Sequence, residues 1–256
     1  REDALKVQRV EGTKIMPLPK ILGVIPSRYA SSRLPGKPLV DICGQTMVEH
    51  VYRRALASEV FSRLVVATDD QRIFDAVTAF GGEAMMTRCD HPDGSSRVAE
   101  VAEGVEADYV INVQGDEPML DPRMLKELAE GIVADKGCDS ATMCLPIKND
   151  EDFHNPNIVK VVRAQNGRAL YFSRSPIPYM RNETECPLRE HIGVYAFTKD
   201  FLLKMVKLQA TPLMRTESLE QLRILEHGYT MTVIPTRYPS EGPNVNTPED
   251  LEKVRE

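Results

Sequence analysis

The stretch ILGVIPSRYASSRLPGKPL, residues 21–39, joins a short apolar run to a loop that is rich in cations. The run at 21–25 has the length and the continuous apolar character of a strand buried on both faces. The loop behind it carries Arg28, Arg33 and Lys37, although the chain has a formal net charge of −6. A local group of cations in an acidic protein predicts a binding site for a small anion.

The loop at 27–37 matches neither of the common phosphate-binding motifs. It is not a Walker A sequence, because Pro38 stands where that motif needs Ser or Thr, and G-x-G-x-x-G is absent. Its cations and backbone N–H groups could still surround a triphosphate. The alternative is a solvated basic surface loop. The position of the loop, directly after a strand, favours the phosphate interpretation.

Beyond this loop, short apolar runs alternate with segments of helical periodicity. The runs LVVAT at 64–68 and YVINV at 109–113 predict strands, and a shorter strand is expected at 83–86. Helices are expected at 47–57, 71–80, 95–105 and 122–133. This alternation predicts an α/β fold, with a mostly parallel sheet flanked by helices on both faces.

The alternation of predicted strands and helices stops after about residue 140. Strands are expected at 141–147, 158–163, 169–172 and 192–197, followed by helices at 200–207 and 217–227. For the last helix, Thr216 is the expected N-cap and Gly228 the expected C′ residue. We therefore expect an N-terminal extension at 1–19 and one domain at 20–256, with a β-rich lobe at about 141–197.

Net charge, cysteine content and the length of the apolar runs argue against several classes of function for this protein. A net charge of −6 and a pI near 5.5 argue against a general nucleic-acid surface. Five cysteines without a C-x-x-C pair predict neither a disulfide framework nor a zinc site, and favour the reduced thiols of a cytoplasmic protein. No apolar run in the sequence approaches the length of a membrane span.

Three polar segments follow predicted strands, at 27–37, 68–70 and 114–118. Open parallel sheets bind ligands at the carboxyl ends of their strands. The first segment is basic and the other two are acidic, which suggests a polyphosphate held by cations and by metal ions on carboxylates. Asp116 could be such a metal ligand. It could equally be a turn residue, and both interpretations stay open at this point.

Two further segments, SRSPIP at 173–178 and REHIGVYAF at 189–197, combine polar side chains with strand formers. Arg174, Arg189, His191 and Tyr195 could recognise a carboxylate or a hydroxylated ligand. The alternative is structural, with Tyr195 in the core. Taken alone, His191 is better explained as a structural histidine.

Eight segments, taken together and in order, resemble the 3-deoxy-manno-octulosonate (KDO) cytidylyltransferases, or CMP-KDO synthetases. They are IPSRYASSRLPGKPL, VATDD, VQGDEP, NPNIVKVV, ALYFSRSPIP, REHIGVYAF, LEQLRILEHG and NTPEDLEKVR, and they run from about Lys20 to Glu256. The resemblance implies a Rossmann-like nucleotidyltransferase fold over 20–256 and a homodimer. It also implies CTP and Mg²⁺, and CMP transfer to the anomeric hydroxyl of KDO with release of pyrophosphate. The activated sugar then feeds lipopolysaccharide or capsule synthesis.

The resemblance also assigns roles to residues. Arg28, Arg33 and Lys37 match triphosphate-binding residues, and Arg97 lies in the segment near the nucleotide. Gln114 and Asp116 match the reaction centre, where Arg28 and Lys37 also act and Asp116 holds Mg²⁺. The residues that match contacts to the sugar acid are Arg174, His191, Tyr195, Glu220 and Gln221.

Three positions depart from the family pattern, each by losing an expected acid. Ser96 follows Gly94-Ser95, Met214 follows Pro212-Leu213, and Asn246 stands where a second Asp ligand of Mg²⁺ is expected. The Asn246 carbonyl can still bind Mg²⁺ as a neutral ligand.

Three explanations follow from these departures. The first is a working KDO enzyme, which the five sugar-acid matches favour. The second is a phosphonate or another acidic acceptor, because such a group can carry two negative charges, and removing a carboxylate about 5 Å away relieves roughly 3 kcal/mol of repulsion per acceptor charge at an effective dielectric near 20. The third is a catalytically silent CTP-binding homologue.

Overall fold

The structure is a computed structural model that describes residues 18–30, 34–182 and 186–256. The strands of that part of the chain are β1 Ile21–Ser27, β2 Asp41–Ile42, β3 Gln45–Thr46, β4 Arg63–Thr68, β5 Ala84–Met86, β6 Tyr109–Asn112, β7 Ser140–Pro146, β8 Lys160–Arg163, β9 Ala169–Ser173, β10 Arg189–Thr198 and β11 Thr232–Pro235. Arg33 lies outside the described residues.

The helices over the same residues are α1 Met47–Leu56, α2 Gln71–Ala79, α3 Gly94–Gly104, α4 Pro122–Ala134, α5 Asp150–His154, α6 Lys199–Met205, α7 Pro212–Glu217, α8 Leu222–Glu226 and α9 Pro248–Arg255, with a 3-10 turn at Lys37–Leu39. Among these described helices, none is long and apolar enough to cross a membrane.

The main sheet has the strand order β11-β7-β10-β6-β1-β4-β5. β1 pairs in parallel with β4 and β6, and β10 runs antiparallel to both β6 and β7. The predicted α/β fold with a mostly parallel sheet is therefore confirmed. Because β1, β4 and β6 run the same way, the polar segments after them meet at one edge of the sheet.

β1 is apolar on both sides because both faces of the sheet are covered. Ile21 and Ile25 pack under α1, α2 and α4, whereas Leu22 and Val24 pack under α3, α6 and α8. Two separate apolar layers result, which is why the strand shows no polar alternation in the sequence. The helices thus fix the strand ends that carry the polar segments.

The predicted helix at 217–227 is wrong. The structure has two short helices, α7 and α8, separated by Ser218 in the left-handed region at φ 54. Thr216 lies inside α7, and the N-cap residue is Thr211. Gly228, at φ 80, follows the C-cap of α8 as predicted. The break brings residues 218–221 to the edge of the sheet, where they line a cavity.

The fully buried Lys160 holds two loops together at the start of the β8–β9 hairpin. Its Nζ donates hydrogen bonds to three backbone carbonyls, those of Asn155 at 2.9 Å, Ile158 at 2.7 Å and Arg174 at 2.6 Å. Burial lowers the pKa of Lys160. A buried ammonium is costly, so its three carbonyl partners are what make it tolerable.

We expect Lys160→Met to lower the free energy of unfolding by about 2–4 kcal/mol, because three carbonyls lose their donor. Urea denaturation measures this directly. Lys126→Met is the matched control, since Lys126 is an exposed lysine on α4. An unfolding free energy equal to that of the wild type would contradict the role given to Lys160.

Candidate active site

Two adjoining cavities open at the edge of the sheet where β1, β4 and β6 end. The smaller, of about 360 Å³, is called the basic cavity and is lined by Ser27, Arg28, Lys37, His91, Arg97 and Asn246 among others. The larger, of about 740 Å³, is called the acidic cavity and includes Asn112, Glu117, Glu190, His191, Tyr195, Gln221 and Asn244. Gly94, Gln114, Asp116 and Glu220 line both cavities and form their junction.

Lys37 reaches the junction because the loop after β1 closes on itself. The Gly36 N–H donates to the Tyr29 carbonyl at 3.1 Å, and Gly36 adopts φ 69, which favours glycine. Lys37 then begins a single 3-10 turn. Its Nζ lies 2.9 Å from Asp116 Oδ2 and 3.2 Å from Asn246 Oδ1. One ammonium thus joins three segments that are far apart in sequence.

Gln114 and Asp116 lie close against the end of β1. A Cβ on Gly115 would come within 2.9 Å of the Pro26 carbonyl oxygen, so this position has no space for a side chain. The backbone after β6 can therefore approach β1 closely. This contact is why Gln114 and Asp116 sit at the junction of the cavities rather than out in solvent.

Arg97 is the buried cation of the basic cavity. Its Nη2 lies 2.8 Å from Asp69 Oδ2, and its Nη1 donates to Thr87 Oγ1 at 2.5 Å. Asp70 caps α2 and pairs with Arg72. The two acids after β4 are therefore engaged by arginines. The acidic segment after β6 is the one that reaches both cavities.

The oxygens near Lys37 can be tested as a site for Mg²⁺. Asp116 Oδ2 and Asn246 Oδ1 converge on the same ammonium, so they lie near each other at the junction. The described residues contain no group of three or more His, Cys, Asp or Glu that could hold a metal. One carboxylate and one amide oxygen fit a Mg²⁺ ion that is held mainly by phosphate oxygens and water.

Four carboxyl groups line the acidic cavity, and its described lining contains no Lys or Arg. Burial, together with the neighbouring Asp116, raises the pKa of Glu117 to about 8. Glu117 Oε1 accepts a hydrogen bond from Asn244 Nδ2 at 3.3 Å. Burial also raises the pKa values of Glu190 and Glu220. Glu117 can therefore stay protonated near neutral pH, and a protonated carboxyl group donates as well as accepts hydrogen bonds.

A hydrogen-bonded wall closes one side of the acidic cavity. Tyr195 donates through its hydroxyl to Gln221 Oε1 at 3.3 Å, and Gln221 Nε2 lies 3.5 Å from His191 Nδ1. Burial raises the pKa of Tyr195 and lowers that of His191 to about 3. All three side chains are therefore uncharged near neutral pH and suit the recognition of hydroxyl groups.

Arg174 lies outside the lining of both cavities. Its Nε donates to the Glu217 carbonyl at 2.8 Å and its Nη1 to the Pro156 carbonyl at 3.0 Å. In this arrangement the guanidinium joins two segments whose neighbours line the acidic cavity. A contact between Arg174 and a ligand remains a prediction.

The three departures from the family pattern lie in different places. Ser96 is the third residue of α3, and its N–H donates to the N-cap Asp93 at 2.7 Å. An acid there would complete a capping box. Met214 packs on an apolar core. Neither Ser96 nor Met214 lines a cavity. Of the three, Asn246 alone lines a cavity.

Several lining residues were not predicted as site residues, among them Asn112, Glu117 and Glu190. Asn112 and Glu117 are buried, at 3% and 4% exposure. Asn112 interrupts the apolar run YVINV, and a polar residue inside such a run was the available signal. The sequence around Glu190 contains no such signal, so it reads as an ordinary surface acid.

Comparisons with known proteins show which family this chain resembles. The sequence model of the cytidylyltransferase family matches residues 22–234. A 3-deoxy-manno-octulosonate cytidylyltransferase of Syntrophobacter fumaroxidans is 48% identical over 240 residues, covering 92% of this chain and 95% of the relative. The corresponding protein of Fusobacterium nucleatum is also 48% identical, over 236 residues, with coverage of 92% and 95%.

Solved structures of cytidylyltransferases are also similar to this chain. A CMP:2-keto-3-deoxy-manno-octonic acid synthetase, complexed with CTP, superposes with a TM-score of 0.88 at 47% identity, over 92% of this chain and 97% of that one. A cytidylyltransferase from Leptospira borgpetersenii, at 18% identity, shares the fold with a TM-score of 0.62, over 93% of this chain and 85% of its own. The chain therefore belongs to the cytidylyltransferase family, among the 3-deoxy-manno-octulosonate cytidylyltransferases.

Proposed function

We propose that the protein transfers CMP from CTP to the anomeric hydroxyl of KDO and releases pyrophosphate. The observation that carries the proposal is the junction at Gln114 and Asp116, where a basic cavity and an acidic cavity meet. A polyanionic donor needs cations, whereas a polyhydroxylated acceptor needs hydrogen-bonding groups. The reacting atoms would then meet at the shared wall.

The basic cavity suits the triphosphate of CTP. Arg28, Lys37 and Arg97 supply three positive charges, and the N-terminus of α3 opens into the cavity at Gly94. Backbone N–H groups at a helix N-terminus favour phosphate oxygens. Arg33 belongs to the same cation-rich loop, and its contact with the triphosphate stays part of the proposal.

Asp116 and Asn246 are the residues that would hold Mg²⁺, with CTP supplying further oxygens. When bound, the ion would supply a positive charge to the phosphate oxygens. Lys37 contributes a fixed charge beside both residues, at 2.9 and 3.2 Å. No covalent intermediate is needed. The acceptor hydroxyl attacks the α-phosphorus in line with pyrophosphate, and most of the protein's contribution is positioning and charge stabilisation.

The acidic cavity favours KDO over a phosphonate. Asp116, Glu117, Glu190 and Glu220 face the acceptor, and the described lining offers no Lys or Arg to a dianion. A sugar acid carries one charge and several hydroxyls, which the protonated Glu117 and the amide groups of the lining can bind. Because Ser96 and Met214 lie outside both cavities, their lost acids do not make the cavity more suitable for a dianion.

We also propose that residues 20–256 form the catalytic domain of a cytoplasmic homodimer, with 1–19 as an extension and about 141–197 as the β-rich lobe. Two exposed apolar side chains on that lobe, Leu170 at 61% and Tyr179 at 88%, support self-association. β9 pairs only with β8 among the described strands, and the N–H of its first residue, Ala169, donates to the Met231 carbonyl at 2.8 Å; the rest of its other edge is available.

Incubation with CTP, Mg²⁺ and single acceptors tests the proposal. We expect pyrophosphate release with KDO and none with a phosphonate of similar size, because the described lining of the acidic cavity offers a dianion no Lys or Arg. A phosphonate that reacts while KDO does not would show that the acceptor is wrongly assigned. CTP binding without release for any acceptor would identify a silent homologue.

We expect Lys37→Met to lower kcat by about 10²–10³-fold, because a charge aimed at the developing phosphate charge is lost. Steady-state kinetics with saturating CTP and KDO measures this effect. Lys20→Met is the matched control, because Lys20 pairs with the exposed Glu106 just before β1, away from both cavities. Equal activity of the two variants would exclude Lys37 from the reaction centre.

Asn246→Asp tests the metal site. The added carboxylate should lower the Mg²⁺ concentration for half-maximal activity by at least about fivefold, since a new charge pair near 4 Å is worth at least about 1 kcal/mol even in water. A Mg²⁺ titration measures this. Asn244→Asp is the control, because it adds the same charge but contacts Glu117 instead of Lys37. An unchanged Mg²⁺ requirement would place the ion elsewhere.

A further inference from the structure

β10 contains a bulge directly behind the acidic cavity. Its register with β7 shifts between the pairs Ile192–Met143 and Tyr195–Thr142, which leaves Gly193 and Val194 without partners in β7. The hydroxyl of Thr142 occupies the gap. Its Oγ1 lies 3.0 Å from the Ile192 carbonyl oxygen and 2.9 Å from that of Val194. Thr142 is fully buried, so water does not compete for these contacts.

The same hydroxyl oxygen lies 2.9 Å from Nε2 of His191. A hydroxyl has one proton, and a carbonyl oxygen can only accept. If Thr142 donated its proton to Nε2, both carbonyl oxygens would face hydroxyl lone pairs at about 3 Å. The proton therefore goes to a carbonyl, and Nε2–H of His191 donates to Thr142 Oγ1. Nδ1 of His191 is then left with a lone pair.

This proton arrangement extends along the wall of the cavity. Among the described residues, the donor facing Nδ1 of His191 is the amide N–H of Gln221, at 3.5 Å, and this contact turns Oε1 of Gln221 towards Tyr195. The Tyr195 hydroxyl then donates to that oxygen at 3.3 Å. The second N–H of Gln221 remains for a ligand. Phe172 packs edge-on against the His191 ring, with centroids 4.9 Å apart, and holds its plane.

We propose that Thr142 is a positioning residue for the acceptor, although it lies outside the lining of both cavities. It fixes His191 in the Nε2–H tautomer, and through His191 it fixes the orientation of the Gln221 amide. The wall consequently presents one pattern of donors and acceptors to the acceptor hydroxyls. The identity of the acceptor rests on the proposed function, whereas the proton arrangement does not.

A purely structural role for Thr142 would be to donate its one proton to a carbonyl of the bulge. Loss of the hydroxyl would then destabilise the protein without changing the His191 tautomer or acceptor affinity. Thr142→Val removes the hydroxyl and keeps the shape, and Thr142→Ser keeps the hydroxyl. The two variants together separate positioning from packing.

The tautomer is read directly by ¹⁵N NMR of histidine-labelled protein, with His191→Asn used to assign the His191 signals. We expect protonated Nε2 and unprotonated Nδ1 in the wild type and in Thr142→Ser. These signals should not titrate between about pH 5 and 8, because burial lowers the pKa of His191 to about 3. Thr142→Val should show a mixed or reversed tautomer. A wild-type ring protonated on Nδ1, or one unchanged in Thr142→Val, overturns the proposal.

Steady-state kinetics gives a second test of the positioning role of Thr142. Thr142→Val should raise KM for KDO about tenfold, because a tenfold loss of affinity corresponds to the free energy of about one buried hydrogen bond. KM for CTP should stay unchanged. Thr142→Ser should stay near the wild type. Equal changes in both KM values, or in neither, contradict the positioning role. If the wild type does not use KDO, the proposed function fails, and the NMR result still decides the tautomer.

Two His191 variants give a readout if Thr142→Val does not fold. The side-chain amide of Asn lies near the position of Nδ1 and can accept from Gln221, whereas that of Gln reaches the position of Nε2. We therefore expect His191→Asn to keep a lower KM for KDO than His191→Gln. The reverse order would show that the Nδ1 lone pair is not what the acceptor site uses.

Discussion

The contact of Lys37 with Asp116 and Asn246 is the interaction on which the active site depends. It links the loop after β1, which contains Lys37, to two distant segments. Asp116, after β6, is 79 residues from Lys37, and Asn246, before α9, is 209 residues from it. An ammonium between a carboxylate and an amide oxygen brings these segments together before any ligand arrives. The side chains of Lys37 and Asp116 are 16% and 25% exposed, so water screens the pair less than it would on an open surface.

The cavities follow from that arrangement. Because the sheet edge is shared, a basic loop on one side and an acidic segment on the other create two ligand environments that differ in charge. The basic side offers permanent charges, whereas burial on the acidic side raises the pKa of Glu117 to about 8, so that its carboxyl group can act as a neutral hydrogen-bonding partner. The two environments suit a nucleotide triphosphate and a sugar acid, and they meet where a phosphoryl group would be transferred.

Sequence patterns predicted most of the sheet, because apolar runs such as 64–68 and 109–113 are buried on both faces. They failed at 217–227, where Ser218 in the left-handed region breaks a helix that periodicity favours. They also missed Thr142 and Glu117, whose importance depends on a strand bulge and on burial. Neither feature can be deduced from local sequence. Arg174 shows a further limit, since an arginine suited to a carboxylate here binds backbone carbonyls.

A crystal structure of the protein with CTP and Mg²⁺ tests the division of donor and acceptor most directly. We expect the triphosphate to lie in the basic cavity against Arg28 and Lys37, with the α-phosphorus at the junction beside Gln114 and Asp116. The acidic cavity should remain open to the acceptor. A triphosphate in the acidic cavity, or an α-phosphorus away from the junction, would contradict the central claim that the two cavities divide donor and acceptor.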